Sequence, residues 1–530
     1  MPAKNTKESV SMTRLLPIVM VAVTLLFTAT AQAAAPGITG PTFNLTARAS
    51  YISQPDGSMM YSWGYGCNGA PAGFNPPVAK MPRANCPNMQ VPGPTLIVTE
   101  GQTVTVNLTN NLPAAAGNTS ILFPGFQVTA SGGVPGLLTG TTGDAVPGTT
   151  VSYTFTASSP GTRAYYSGTQ GDLQVEMGLY GALIVLPSTI PSNCTSGLAA
   201  QNNLLAEAAH GETDFRLAAA AYDHAESCYD REYLFQFSEI DPRIHRQAEE
   251  QVAAANCNPI TAVTCRLEVQ TEPYHPAYFM INGRSMPDDM DTNYAAEYPH
   301  QPYNGNPHMH PGELVLLRII GQGRWQHPFH EHGNHVRILA RDGNLILSQT
   351  DASKLAGPLL FTTTTTPGLA MDGIFYWTGR GLNWDVYGHG YSGDTTPCVA
   401  DSNGYYTSVP AAVNYYEWCE DHAHALENAP FGQVAGGGPV TLPDANILTN
   451  GPWYGGSPYL GPDATVRAVG PTGTTPPSGT IANPPTTEAG FAFMWHSHNE
   501  REITTNNIFP GGMLMMMLVD SREFPINEFF

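Results

Sequence analysis

Charge is scarce in this chain. Only 12% of its 530 residues are Asp, Glu, Lys or Arg, about half the ~25% usual for soluble globular proteins. Basic residues are scarcest, 22 against 43 acidic ones, and the net charge is −21. Without a basic stripe to displace counterions from a phosphate backbone, nucleic acid is excluded as a partner. Beyond residue 33 no run approaches the ~20 apolar residues that a membrane-spanning helix needs. Also missing are a CxxC pair, a nucleophile motif, a P-loop and a dinucleotide-binding glycine pattern in a strand–helix setting. What the chain has in quantity is 54 Gly, 46 Pro and 24 Tyr, within a 42% hydrophobic composition. That rules out wholesale disorder and indicates a turn-rich, folded, all-β chain of two or three domains.

The N-terminus reads as an export signal. Lys4, Lys7 and Arg14 precede an apolar run over 15–31, and Ala31-Gln32-Ala33 offers a small-residue cut site. Residues 1–33 are therefore expected to be removed, leaving a periplasmic, extracellular or cell-surface protein with no membrane partner. All eight cysteines follow the signal, an even count that suits disulfides in an oxidising compartment. Eight cysteines allow 105 pairings. Proximity in sequence selects Cys67–Cys86, Cys194–Cys228, Cys257–Cys265 and Cys398–Cys419.

Period-2 patterning defines the rest. In 94–113 (PTLIVTEGQTVTVNLTNNLP), Leu96 and Val98, then Val104, Val106 and Leu108, alternate with polar partners, as half-buried strands do. The spacing predicts a Greek-key sandwich over 38–187. A connector over 188–228 carries an Ala-rich stretch with helical character. A second β-rich domain spans 229–530, interrupted at about 380–488 by a Gly/Pro/Thr-rich insertion, with strand pattern returning in FAFMWHSH and GGMLMMMLVD.

Two groups among the 16 histidines have ligand spacing: His327-Pro-Phe-His330-Glu-His332 and His496-Ser-His498. Residues i and i+2 of a strand share a face, so His330 with His332, and His496 with His498, each present two imidazoles to one side. If the two strands are neighbours, four imidazoles converge on a site that suits copper, with zinc as the alternative. Satisfied polar histidines near a domain boundary are the plainer reading. His308-Met-His310 and His422-Ala-His424 are weaker pairs. Met513, Met515 and Met517 share one strand face and read as core, although thioethers also bind cuprous copper.

The segments VPGPTLIVTEGQTVTVNLTNNLP, GTRAYYSGTQGDLQVEMGLYGALIVLP, FMING with GELVLLRII, HPFHEHG and the terminal HSH with GGM resemble the multicopper oxidase family, which includes the laccases. The layout resembles two-domain laccases and copper nitrite reductases. The resemblance implies two cupredoxin-like sandwiches and a copper cofactor. It places His327 at a type 1 ligand, His330 at a type 2 ligand, His332, His496 and His498 at type 3 ligands, and Met513 at the axial place. The departures are as informative. Leu122-Phe123-Pro124-Gly125 stands where the family has HxHG, and Tyr166-Ser167-Gly168 where it has HxH. Ser497 replaces the Cys of HCH, and no further His follows. Four of the family's eight trinuclear-site histidines survive. The blue type 1 centre needs a thiolate, which Ser497 cannot supply. Tyr165, Tyr166, Gln170 or Glu176 could lend oxygen ligands, but packing is their plainer role. Leu122, Pro124, Tyr166 and Gly168 are expected to face the cluster from the first domain.

Three functions of different class follow. One is an oxidoreductase with a reduced copper site acting on a small-molecule or metal substrate, short of complete oxygen reduction to water. Another is a copper-handling protein without turnover, and the third a metal-free interaction module. A homo-oligomer is left open.

Overall fold

The computed structural model describes residues 35–195, 211–212, 220–380, 400–403, 415–416, 418, 456–460, 481–482, 489–520, 522 and 526. The expected signal segment, Cys398, Cys419, His422 and His424 lie outside these residues.

The first sandwich contains β1 (Gly37–Thr39), β2 (Thr42–Ser53), β3 (Met59–Cys67), β4 (Phe74–Asn75), β5 (Leu96–Thr99) and β6 (Thr103–Asn110). It continues with β7 (Thr129–Ser131), β8 (Val134–Gly136), β9 (Gly140–Asp144), β10 (Thr150–Thr156), β11 (Gly161–Tyr166) and β12 (Tyr180–Leu186). One sheet has the order β11-β12-β5-β1-β4 and the other β3-β2-β6-β10-β7, while β8 and β9 form a separate hairpin. Parallel pairs β12–β5 and β2–β6 sit among antiparallel ones, so the chain crosses between sheets as a Greek key does. The alternation in β6 does what its pattern predicts, sending Val104, Val106 and Leu108 into the core at 0% exposure.

The second sandwich begins with β13 (Arg231–Ile240), the helix Pro242–Ala254, and β14 (Tyr278–Ile281). Then come β15 (His308–Met309), β16 (Leu314–Gly321), β17 (His327–Glu331), β18 (Val336–Arg341), β19 (Asn344–Leu345), β20 (Leu359–Leu360), β21 (Thr362–Thr365) and β22 (Ala370–Tyr376). The last are β23 (Gly456–Leu460), β24 (Ile481–Ala482), β25 (Ala489–Ser497) and β26 (Leu514–Asp520). Its inner sheet runs β14-β13-β16-β22-β18-β19 and its outer sheet β15-β26-β25-β17-β21. Phe235, Phe329, Trp495, Met513, Met515 and Met517 fill the core between them.

Every residue of β13 is buried, because its sheet is covered on both faces. One face meets the core of the second sandwich and the other meets the first sandwich. There Thr162 of β11 donates to Asp372 of β22 (2.6 Å), and Arg318 of β16 donates to Thr162 (2.9 Å) and pairs with Glu232.

The all-β, two-sandwich, cupredoxin-like expectation matches this architecture. Three of the four expected disulfides, Cys67–Cys86, Cys194–Cys228 and Cys257–Cys265, are formed. The Ala-rich stretch of the connector lies largely outside the described residues. The longest helix among the described residues is Pro242–Ala254, started by a Pro at its first turn and by Asp241, whose side chain accepts from Arg243 N. The insertion also contributes structure, since β23 pairs with β25 along 489–493 and extends the outer sheet. No helix among the described residues is long and apolar enough to cross a membrane.

Candidate metal centre

Strands β17 and β25 are antiparallel neighbours, and His330 lies directly opposite His496 in their register. With the side-chain period of two, His332 and His498 fall on the same face as diagonal neighbours. Phe329 and Trp495, of opposite parity, anchor both strands in the core, and Trp495 Nε1 donates to the His332 carbonyl (2.9 Å).

The result is a compact imidazole cluster. Ligand atoms of His330, His332 and His496 all lie within 4.8 Å of one another. His332 Nε2 and His496 Nε2 are 3.2 Å apart. The ring of His498 lies 4.8 Å from that of His330 and 5.6 Å from that of His496, centre to centre. His330, His332 and His496 are buried, whereas the His498 side chain is 51% exposed beside Glu500. The cluster therefore has an open side.

Two of the rings are held by a second contact. His330 Nδ1 lies 2.7 Å from Thr362 Oγ1 on the neighbouring β21. His496 Nδ1 faces the Ser497 carbonyl at 2.7 Å, which puts the hydrogen on Nδ1 and leaves the Nε2 lone pair directed at the cluster. Burial, then the neighbouring imidazoles His332, His496 and His498, press the His330 pKa down to about 3. Burial also lowers His496. Neutral imidazoles with lone pairs converging on one point fit a single borderline or soft cation such as copper.

His327 belongs to the other face. It differs in parity from His330, so its side chain turns inward. Its Nδ1 lies 2.8 Å from Glu502 Oε2 and its Nε2 2.9 Å from Glu239 Oε2. Burial pulls its pKa down, but hydrogen bonds and charge from Glu239 and Glu502 outweigh burial and raise it to about 9. Both nitrogens face carboxylate oxygens, so the ring is a cation with no lone pair to offer a metal. Ser497 Oγ donates to the same Glu502 oxygen (2.5 Å). Met513 accepts from Ser497 N through its backbone carbonyl (2.9 Å), and its side chain packs in the core with Met515 and Met517. His327, Ser497 and Met513 thus lie together, but around a carboxylate.

Sequence reasoning did not single out Glu239, Glu502 or Thr362. Glu502, five residues past Ser497, is one acid of the stretch NERE over 499–502. Thr362 belongs to a run of five threonines over 362–366. A hydrogen-bonding residue opposite a histidine on a paired strand was the available signal.

The first-domain residues expected to face the cluster are placed differently. Leu122 pairs with Tyr166 through a backbone bond (2.8 Å), and the Leu122 side chain fills the space beside Gly168. Leu122 and Pro124 line an open, mainly apolar cavity of about 440 Å³ with Phe123, Phe126 and Tyr153. Strand β11, which ends at Tyr166, packs on β16 and β22, the sheet across the core from the histidines. Half-buried apolar side chains at these positions rest against apolar neighbours, where imidazoles would instead seek a polar partner. Tyr165 donates to the Pro94 carbonyl (2.7 Å) within the first core, and Gln170 occupies a left-handed turn (φ 44°). His308 and His310 are engaged by Asp520 and Glu212.

Residues 77–189 match the multicopper oxidase family profile. That match covers most of the first sandwich. Among curated relatives, the multicopper oxidase MCE of Talaromyces pinophilus is 37% identical over 123 residues, 21% of this chain and 19% of its own length. The L-ascorbate oxidase of Brassica rapa subsp. pekinensis is 39% identical over 98 residues, 18% of this chain and 16% of its own. The match thus spans less than a fifth of either relative. A solved multicopper oxidase, mgLAC, is 16% identical over 92% of this chain and 88% of its own, with a TM-score of 0.44. Within the matched stretch, positions 122–125 and 166–168 carry no imidazole, so the histidines described above come from the second sandwich alone.

Proposed function

We propose that the chain is an exported copper protein of the multicopper oxidase type, with one metal site in place of the full set. His330, His332 and His496 would hold the metal, and the half-exposed His498 would complete the site. Copper, when bound, would supply one-electron redox chemistry at the open side. The observation that carries the reading is the convergence of ligand atoms from His330, His332 and His496 within 4.8 Å. Burial holds His330 and His496 below the ordinary imidazole pKa, which keeps their lone pairs for a metal. Thr362 and the Ser497 carbonyl orient the rings. Glu239, His327, Glu502 and Ser497 occupy the place of the blue centre, so electrons have no thiolate route into the site, and a small-molecule or metal substrate must meet it directly at His498. Export rests on the 1–33 segment and agrees with the three disulfides.

Copper handling without turnover is the second reading, favoured by the same missing thiolate. Metal analysis, an optical spectrum and oxygen uptake on purified protein separate the readings. The expected result is about one copper per chain without an intense blue thiolate band. Substrate-dependent oxygen uptake would then mark an oxidoreductase and its absence a copper carrier. Metal-free protein that takes up no copper would overturn both.

A further inference from the structure

A continuous run of hydrogen bonds, buried at His327 and Glu176 and part-buried at Tyr274, leaves the His327 pocket and crosses into the first sandwich. Glu239 Oε1 lies 3.1 Å from the Tyr274 hydroxyl, which is 2.6 Å from Glu176 Oε2. Glu176 follows the short helix Gly171–Gln174 of the first sandwich, and its Oε1 accepts from Asp241 N (2.7 Å), at the end of β13. Two acids and one tyrosine therefore join the domains.

Hydrogen counting constrains this joint. The Tyr274 hydroxyl owns one hydrogen but stands within bonding distance of two carboxyl groups. Glu239 is compensated as an anion: His327 bonds its Oε2, and Arg324 N and Trp325 N donate to its Oε1 at 2.7 and 2.8 Å. Glu176 has no comparable cation in contact. With a hydrogen on Glu176 Oε2, every link is filled: Glu176 donates to Tyr274, Tyr274 to Glu239, and His327 to both Glu239 and Glu502. Without it, two anions face each other across one hydroxyl, with both carboxyl groups buried.

We propose that Glu176–Tyr274–Glu239–His327–Glu502 is a proton-locked latch between the two sandwiches, closed while Glu176 keeps its hydrogen and loosened when that proton passes to water. Burial first, and then the charge of Glu239, raise the Glu176 pKa to about 8, against the lowering effects of Tyr274 and Arg324. The other groups facing Glu176 are few. His245, on the helix Pro242–Ala254, places Nε2 3.7 Å from Glu176 Oε1 and is held below its usual pKa by burial. Arg324 stacks 4.2 Å over Tyr274 and pairs with Glu272, while Tyr180 donates to Ser238. The Asp241 carboxylate is occupied in capping its helix and accepting from His275 N.

A folded-state pKa raised from 4.5 to about 8 means that the latch is strongest below the unfolded value and is spent as pH rises through the folded one. Hydrogen exchange on the full chain, corrected for intrinsic base catalysis, tests this at the Asp241 amide. Its opening constant should rise by up to about tenfold per pH unit and level off above about pH 8. Glu176→Gln keeps the shape and a donor towards Tyr274, and should remove that rise. Tyr274→Phe deletes the shared hydroxyl and should raise the opening constant at least about tenfold at pH 6. His245→Gln should leave the slope in place. The latch is overturned if the native chain shows no slope, if Glu176→Gln retains it, or if His245→Gln alone abolishes it. Should the Gln variant not fold, an unchanged Tyr274→Phe opening constant overturns it equally.

Discussion

The two faces of β17 treat the same side chain in opposite ways. Outward, His330 meets other imidazoles and a threonine hydroxyl, and its pKa is pressed to about 3. Inward, three residues earlier, His327 meets two carboxylates and its pKa is raised to about 9. Both rings are buried, so burial does not separate them. What differs is the sign of the neighbouring charge. A buried imidazole among its own kind stays neutral and keeps a lone pair for a metal; one between carboxylates becomes a cation and can only donate.

The hardest test of that contrast removes ligands from the outer face. His332→Ala together with His496→Ala should abolish copper binding, read by metal analysis, while the circular dichroism spectrum stays native. Loss of copper from His327→Ala as well would erase the distinction between the faces. That inner substitution should instead destabilise the fold by about 3–5 kcal/mol, because it leaves Glu239 and Glu502 buried without their cation. Denaturant unfolding measures the loss, and metal content should not change.

A finer test targets orientation. Thr362→Val removes the hydroxyl that holds His330 Nδ1 and should weaken copper affinity by about 10–100-fold, measured by competition with a chelator. The inner face also has its own pH signature. His327 has a folded pKa raised above the unfolded value, so its contribution to stability is complete below about 6.5 and disappears as pH rises through about 9. Unfolding midpoints from pH 6 to pH 10 should fall over that window, and His327→Gln should flatten the fall. The smallest change is expected from Ser497→Cys. It restores the thiol but leaves His327 bound to Glu239 and Glu502, so copper-loaded protein should still lack a blue band.

The legible part of the site was its parity. Spacing alone put His330 with His332 and His496 with His498, while only the family resemblance set His327 apart as a type 1 ligand. The polar partners were not legible. Glu239 lies 88 residues from His327 and Glu502 lies 175 away, and nothing in their local sequence distinguishes them from solvated acids. The placement of Leu122 and Tyr166 was missed for a related reason. A missing ligand was assumed to leave a wall facing the cluster, whereas the apolar replacements packed into their own domain and the inner sheet.

By itself, then, the sequence determined the strands, three disulfide pairings and the shared face of each HxH pair, because period-2 burial and short loop closure are local properties of the chain. Tertiary structure decided which strands became neighbours, and with that which charges surround each imidazole. It brought Glu239 and Glu502 to His327, and Glu176 to Tyr274 across the domain boundary. The physical reason is that protonation inside a protein depends on groups within a few ångströms, and distance along the chain does not specify those groups.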